Sequence, residues 1–182
     1  MDVNCSNDPD QTMSLIDAIE EENYEFADQL ITNGCDLNET DLYGDTPLML
    51  LLQKLQKHKI RLELITKLMD AGADVNIKDC GGYTALFCAV IINNKIYTVR
   101  MLIDAGADVN IKFNNGNTAL IVTADSDSRI YRQIYIVKML IDAGADINIK
   151  NNYGDTALSN AVKKYRGYSL IDEVKMLIEA DF

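Results

Sequence analysis

Apolar residues recur along this chain in pairs of short stretches with helical spacing, and polar segments separate one pair from the next. Positions three residues apart lie on one face of a helix, so each pair of stretches predicts a helix–turn–helix unit. The first stretches carry Leu48 and Leu51, Leu86 and Ala89, Leu120 and Thr123, and Leu158 and Ala161. The second stretches lie at 64–69, 99–103, 136–141 and 174–178.

One polar phrase recurs almost unchanged after the second stretches. Asp-Ala-Gly-Ala-Asp, an apolar residue and Asn-Ile-Lys occur at 70–78, 104–112 and 142–150, and a looser copy occupies 32–39. Its glycines end the preceding helices in the left-handed manner, and they are 38, 34 and 38 residues apart: Gly34, Gly72, Gly106 and Gly144. Repeats of this period indicate one supersecondary unit stacked into an array.

A second polar segment precedes each first stretch and ends in Gly-x-Thr. A tight turn with positive φ is predicted at Gly44, Gly82, Gly116 and Gly154. The following threonines suit helix N-caps, and Pro47 suits a first helical position: Thr46, Thr84, Thr118 and Thr156. Each unit is therefore expected to run turn, helix, helix, turn, with polar tips that form a row of β-hairpin fingers.

Gly-x-Thr-[Pro/Ala]-Leu followed by Leu-[Ile/Met]-x-Ala-Gly-Ala-Asp-[Val/Ile]-Asn closely resembles the ankyrin repeat, over roughly residues 13–182. The resemblance implies an all-α solenoid of helix–turn–helix units with β-hairpin fingers, in a single domain that spans 1–182. Five repeats are expected, with the first and last as polar caps: 8–40, 41–78, 79–112, 113–150 and 151–182. Ankyrin repeats have about 33 residues, so the longer units here carry insertions between their two helices.

Charge is concentrated in the first forty residues, which hold eleven carboxylates and no Lys or Arg. The whole chain has 28 acidic and 17 basic residues, so residues 41–182 hold 17 of each and the net charge of −11 belongs to the N-terminal segment. Such a segment repels phosphate backbones and favours a basic partner. The alternative is a solvated, solubilising cap.

Cysteine spacing and the absence of targeting signals favour a soluble, cytoplasmic protein. Cys5, Cys35, Cys80 and Cys88 have no metal-ligand spacing, and free thiols are expected, although their even number leaves a disulfide open. No signal peptide is visible, and no apolar run approaches the about 18 residues of a membrane span. Abundant Asn, Ile, Lys and Tyr are typical of an AT-rich genome, and for a virus or parasite the expected location is the host-cell cytoplasm.

No catalytic site, metal site or cofactor is expected. The single histidine, His58, lies in a basic stretch without a signalled orienting carboxylate or nucleophile, which is typical of a solvated surface side chain. Asp74, Asp108 and Asp146 recur with the repeat and belong to its turns, and no pair of carboxylates with tuned pKa values is indicated.

The family resemblance places a protein partner on the concave side, against finger tips and inner helices. An aromatic residue occupies each successive finger, and aromatic side chains are enriched at interface hot spots. The alternative is that these rings pack on neighbouring fingers. Ile91 and Ile92 would extend the surface as an exposed apolar patch. The candidate partner-binding residues are Tyr43, Asp45, Tyr83, Ile91, Ile92, Phe113, Asn115, Asn117, Tyr153 and Asp155.

A second candidate surface is the edge that carries the insertions, here called the basic edge. It gathers ten basic residues: Lys54, Lys57, Lys59, Arg61, Lys95, Arg129, Arg132, Lys163, Lys164 and Arg166. Basic residues with interleaved tyrosines would suit single-stranded nucleic acid or acidic lipid. If the basic edge of one copy contacts the acidic N-terminus of another, the protein would form a self-associating scaffold. Ordinary charge complementarity at helix ends is the alternative.

The function that these observations favour is a stand-alone, non-catalytic adaptor or inhibitor. It is expected to be a monomer that binds a protein partner of unknown identity and has no small-molecule substrate. Nucleic-acid binding is the less favoured alternative, because the acidic segment opposes it.

Overall fold

The computed structural model describes residues 13–54, 59–93, 96–125 and 130–164. This part of the chain is helical and contains no β-strand, so the predicted all-α class is supported while the predicted β-hairpins are not seen there. The fifth helix runs directly into a π-helical segment, Ala89–Asn93. The helices are α1 (Leu15–Glu20), α2 (Tyr24–Thr32), α3 (Pro47–Gln53), α4 (Lys59–Asp70), α5 (Ala85–Cys88), α6 (Ile96–Asp104), α7 (Ala119–Asp125), α8 (Ile130–Asp142) and α9 (Ala157–Lys164).

Three of the four predicted threonines cap an inner helix through the side-chain hydroxyl. Thr46 Oγ1 accepts a hydrogen bond from the Met49 N–H at 3.3 Å, and Thr118 and Thr156 make the equivalent bond. Thr84 makes no such bond. Each bond satisfies one of the N–H groups that have no partner within the helix.

The helices form two rows, and contacts run without a break from α1 to α9 along the inner one. In the inner row, α1 contacts α3, α3 contacts α5 and the π-helical segment, and α7 contacts that segment and α9. In the outer row, α2 contacts α4 and α6 contacts α8. The apolar faces between the rows are fully buried, for example at Leu51, Ile65, Leu102 and Leu140. A single helix pair has too little apolar surface to form a core, so each unit depends on its neighbours.

The segments before the inner helices are tight turns, here called finger turns: 41–45, 79–83, 113–117 and 151–155. In the first, the Asp41 N–H donates to the Asp45 carbonyl and the Gly44 N–H donates to the Asp41 carbonyl, both at 3.1 Å. The same two bonds recur in the other three turns. The predicted positive φ is confirmed at the fourth residue of every turn, with values from 76° to 82°.

Backbone hydrogen bonds join each described finger turn to the next. The Cys80 N–H donates to the Tyr43 carbonyl at 2.9 Å. The Asn114 N–H donates to the Gly81 carbonyl at 3.3 Å, and the Asn152 N–H donates to the Asn115 carbonyl at 3.1 Å. In each case the second residue of one turn binds the third residue of the turn before it.

The recurring Asp-x-Asn phrase forms a second set of bonds between units, here called the asparagine ladder. The Oδ1 atoms of Asn38, Asn76 and Asn110 accept from the backbone N–H of an aspartate in the next unit, at 2.7–2.9 Å. The Nδ2 atoms of Asn76 and Asn110 also donate to Gly106 and Gly144 carbonyls at 3.0 Å. The phrase therefore both ends a helix and fastens one unit to the next.

Gly116→Ala should destabilise the fold more than Gly154→Ala. Both residues have positive φ, near 80°, which costs a residue with a side chain about 1–2 kcal/mol. A Cβ at Gly116 would also lie 2.7 Å from the Asn152 nitrogen, whereas one at Gly154 meets nothing within 4 Å. We expect about 1–3 kcal/mol of additional loss at Gly116, measured by urea unfolding. Equal losses would show that the close approach of the turns is not a constraint.

Asn110→Ala should lower the free energy of unfolding by about 1–3 kcal/mol, because it removes two hydrogen bonds to the backbone of the next unit, each worth about 0.5–1.5 kcal/mol. Asn33→Ala is the matched control. The Asn33 side chain is exposed, and its side-chain amide makes no hydrogen bond within the described part of the chain; only its backbone N–H does, to the Gln29 carbonyl. Its replacement should change stability by less than about 0.5 kcal/mol. Similar losses for the two variants would contradict a role of the ladder in stability.

Candidate protein-interaction surface

Two of the predicted aromatic residues are exposed on the finger turns. Tyr43 and Tyr153 occupy the third position of their turns and are 75% and 81% exposed. The Tyr43 N–H donates to Asp41 Oδ1 at 2.8 Å, and the Tyr153 N–H donates to Asn151 Oδ1 at 2.9 Å. The backbone beneath each ring is therefore held in place while the ring itself remains accessible.

The other two aromatic residues pack together. Phe113 is only 4% exposed. Its ring lies edge-on to Phe87 with centroids 4.6 Å apart, and the half-buried Tyr83 stacks on Phe87 at 4.1 Å. Tyr83 also contacts Phe113, at 5.4 Å between centroids. Phe113 therefore does not belong to the exposed surface, and the packing alternative describes it.

The burial of Phe113 changes its finger turn. Asp41, Asp79 and Asn151 begin the other turns, and their Oδ1 atoms accept two backbone N–H groups each. Phe113 has no such oxygen, and Asn115 Oδ1 accepts the Asn117 N–H at 3.0 Å instead. A phenylalanine where the other copies have Asp or Asn was the one available sequence signal of this cluster.

The fifth position of the first and last described finger turns is bonded to an inner helix. Gln53 donates to Asp45 Oδ1 at 2.9 Å, and burial raises the pKa of the Asp45 carboxyl although this bond opposes the rise. Lys163 forms an ion pair with Asp155. The hydrogen bond from Lys163 lowers the pKa of the Asp155 carboxyl. Both carboxylates thus fix a turn against its helix.

Of the remaining candidate residues, some are exposed and one bonds a neighbouring finger turn. Asn117 Oδ1 accepts from Asn151 Nδ2 at 2.8 Å, so this amide takes part in holding two turns together. Asn115 is exposed, as is Ile91 on the π-helical segment, and the Ile92 side chain lies outside the described residues. Leu42 is 96% exposed beside Tyr43. The accessible surface therefore combines Leu42 with four of the candidates.

The model of the family described as "Ankyrin repeats (3 copies)" matches this chain over residues 15–112 and 56–151, which together cover more than half of it. The chain belongs to the ankyrin repeat family. No curated protein matches it. Ankyrin repeats generally act as protein–protein interaction modules and are typically non-catalytic.

Four side chains of the basic edge are described in this ankyrin array, and all four bind acceptors of the chain itself. Lys54 Nζ donates to the Ile19 and Glu20 carbonyls at the end of α1. Lys59 lies 3.5 Å from the Glu63 carboxylate, and Lys163 pairs with Asp155 as above. Six further side chains of the edge lie outside the described residues: Lys57, Lys95, Arg129, Arg132, Lys164 and Arg166. His58 also lies outside them.

Arg61 is buried, although the sequence pattern grouped it with the basic edge. Its guanidinium donates to the Tyr24 hydroxyl and to the Lys54 carbonyl, and it pairs with Glu22 at 2.9 Å. Its Cζ atom lies 5.1 Å from the centroid of the Tyr24 ring. Arg61 therefore joins α4 to α2 and the residues just before it, rather than offering a charge to a ligand.

In the described part of the ankyrin array, the cysteines and acidic residues form no metal site, and one thiol is buried. Cys80 and Cys88 are free thiols, and burial raises the pKa of Cys88 to about 12, which disfavours its thiolate. Within 13–54, 59–93, 96–125 and 130–164, no cluster of His, Cys, Asp or Glu could hold a metal ion. No helix in the same ranges has both the length and the apolar character for crossing a bilayer.

Phe113→Ala should lower the free energy of unfolding by about 3–5 kcal/mol, because it removes the centre of the aromatic cluster. Tyr153→Ala should change it by less than about 0.5 kcal/mol, since that ring is exposed. Urea unfolding measures both values. If Phe113→Ala fails to fold, Phe113→Leu should still fold with a smaller loss. Equal effects at the two positions would contradict this division of the aromatic residues.

Proposed function

We propose that this ankyrin-repeat protein is a non-catalytic adaptor or inhibitor that binds one protein partner through its finger turns and the adjacent inner helices. The observation that carries the proposal is the exposure of Tyr43 and Tyr153, at 75% and 81%, at the same position of two finger turns. Tyrosine side chains provide large contact areas at a low cost in conformational entropy.

The hydrogen bonds beneath these rings support the proposal. Each finger turn is closed by two backbone bonds, and successive turns are joined by a third. A surface that is already ordered loses little further entropy when a partner binds, so more of the contact energy appears as affinity. An inhibitor of this kind acts by covering a surface of its partner.

The proposal includes the wider architecture expected from the sequence. The array is a solenoid of five repeats in one domain, with 8–40 and 151–182 as caps, and it acts as a cytoplasmic monomer. The inner-row contacts from α1 to α9 support the continuous stacking. Binding of nucleic acid or lipid at the basic edge has less support, because four of its cations already bind acceptors within the chain.

Tyr43→Ala combined with Tyr153→Ala should weaken partner binding by at least about tenfold, because exposed aromatic residues dominate such interfaces. The matched control is Tyr97→Ala with Tyr135→Ala. These two tyrosines are 60% exposed and lie on the outer helices α6 and α8. Affinity capture from native cell extract with quantitative mass spectrometry measures the difference, and circular dichroism checks that both variants fold.

The supporting result is a protein that the wild type and the outer-helix control capture equally and the finger variant loses. Equal capture by all three forms would contradict binding through the finger turns. Loss only in the outer-helix control would move the interface to α6 and α8.

A further inference from the structure

A cleft of about 430 Å³ separates the start of α1 from the first finger turn. One wall comes from α1 and includes Ile16, Asp17 and Glu20. The other comes from the segment that ends in Leu42 and Tyr43. Its volume falls within the range of pockets that hold small ligands or side chains of a partner.

Leu42 and Tyr43 give one wall of this cleft an accessible apolar character. Leu42 is 96% exposed, more than any other large apolar side chain in the described part of the protein. Tyr43 is 75% exposed directly beside it. Two adjacent apolar side chains next to a concave surface offer a partner a place to bury its own apolar side chain.

The backbone of the same turn presents a hydrogen-bond donor beside the cleft, the Leu42 N–H. Cys80, Asn114 and Asn152 are the second residues of the later finger turns, and each donates its N–H to the preceding turn. Leu42 is the second residue of the first described turn, and its N–H has no acceptor among the described residues. An extended peptide that supplies a carbonyl there would continue the row of bonds, as in binding by strand addition.

Carboxylates determine which peptide the cleft suits. Asp17, Glu20, Glu39 and Asp41 line it, and none of the four forms an ion pair within the described residues. They belong to an N-terminal region in which residues 1–40 carry eleven carboxylates and no Lys or Arg. A basic occupant is attracted by this field and an acidic one is repelled.

We propose that the cleft between α1 and finger turn 41–45 binds a basic, extended segment of the protein partner. Its Lys or Arg side chains face the carboxylates, its apolar side chain packs on Leu42 and Tyr43, and its backbone accepts the Leu42 N–H. This inference rests on the proposed function and gives the partner a chemical class. The chain's own residues 1–12 fit the cleft less well, because they carry three carboxylates and no Lys or Arg.

The test uses the purified full chain and a phage-displayed library of random peptides of about ten residues, which reach about 33 Å when extended. Selected peptides should be enriched in Lys, Arg and aliphatic or aromatic residues. Fluorescence anisotropy with labelled copies should show at least about tenfold weaker binding to the Glu20→Lys, Leu42→Ala variant. Raised salt should also weaken binding, since the charges are near the surface.

The matched control is Glu25→Lys with Tyr135→Ala. It makes the same change in net charge and removes an exposed apolar side chain, but both positions lie on outer helices. Its binding should stay within about twofold of wild type. Because the replaced side chains in both variants are exposed, circular dichroism should be unchanged in both.

Several outcomes would overturn the inference. These are selection of acidic or uncharged peptides, selection of none above background, or equal loss of binding in the two variants. A wild-type dimer in sedimentation that Glu20→Lys with Leu42→Ala dissociates would make a second copy the occupant. If, in the affinity capture, the variant with Tyr43→Ala and Tyr153→Ala loses the partner while the variant with Glu20→Lys and Leu42→Ala keeps it, the proposed function stands. In that case the inference that the cleft binds a basic segment is wrong.

Discussion

The asparagine ladder is the interaction on which the rest of this ankyrin array depends. Side chains of Asn38, Asn76 and Asn110 satisfy backbone groups of the following unit at 2.7–3.0 Å. Each of these bonds contributes about 0.5–1.5 kcal/mol net, and because its partner lies at a fixed place in the next unit, it fixes the spacing between units as well as their contact. With the spacing fixed, the finger turns reach one another, and the inner helices bury their apolar faces. The exposed side chains of the finger turns are therefore held at fixed positions by hydrogen bonds between successive units.

Local features of this fold could be predicted from the sequence because they depend on neighbouring residues. A glycine with positive φ and a threonine at a helix start are set by a few adjacent residues, and Gly116 and Thr46 agree with the pattern. The burial of Phe113 depends on Phe87, and the burial of Arg61 depends on Tyr24, in each case across a unit boundary. No periodicity within one unit carries that information.

For the candidate surface, too, the sequence predicted the local positions but not the contacts between units. Sequence repetition identified the finger positions, and it placed Tyr43 and Tyr153 among them correctly as turn residues. It could not separate exposed rings from packed ones, because that depends on which side chains the next unit supplies. The same holds for Leu42, because its exposure and the lack of an acceptor for its N–H among the described residues both follow from its place in the first described turn.

The aromatic cluster also bears on how such an array can change by duplication or loss of a unit. The asparagine ladder repeats the same bonds at successive boundaries, so at this edge one unit could replace another and leave the junction intact. Phe113 has no counterpart in the other finger turns, and its ring requires Tyr83 and Phe87 from the unit before it. A copied or deleted unit is therefore tolerated along the ladder, but the order of the two units that begin at finger turns 79–83 and 113–117 is fixed by the packing of these rings.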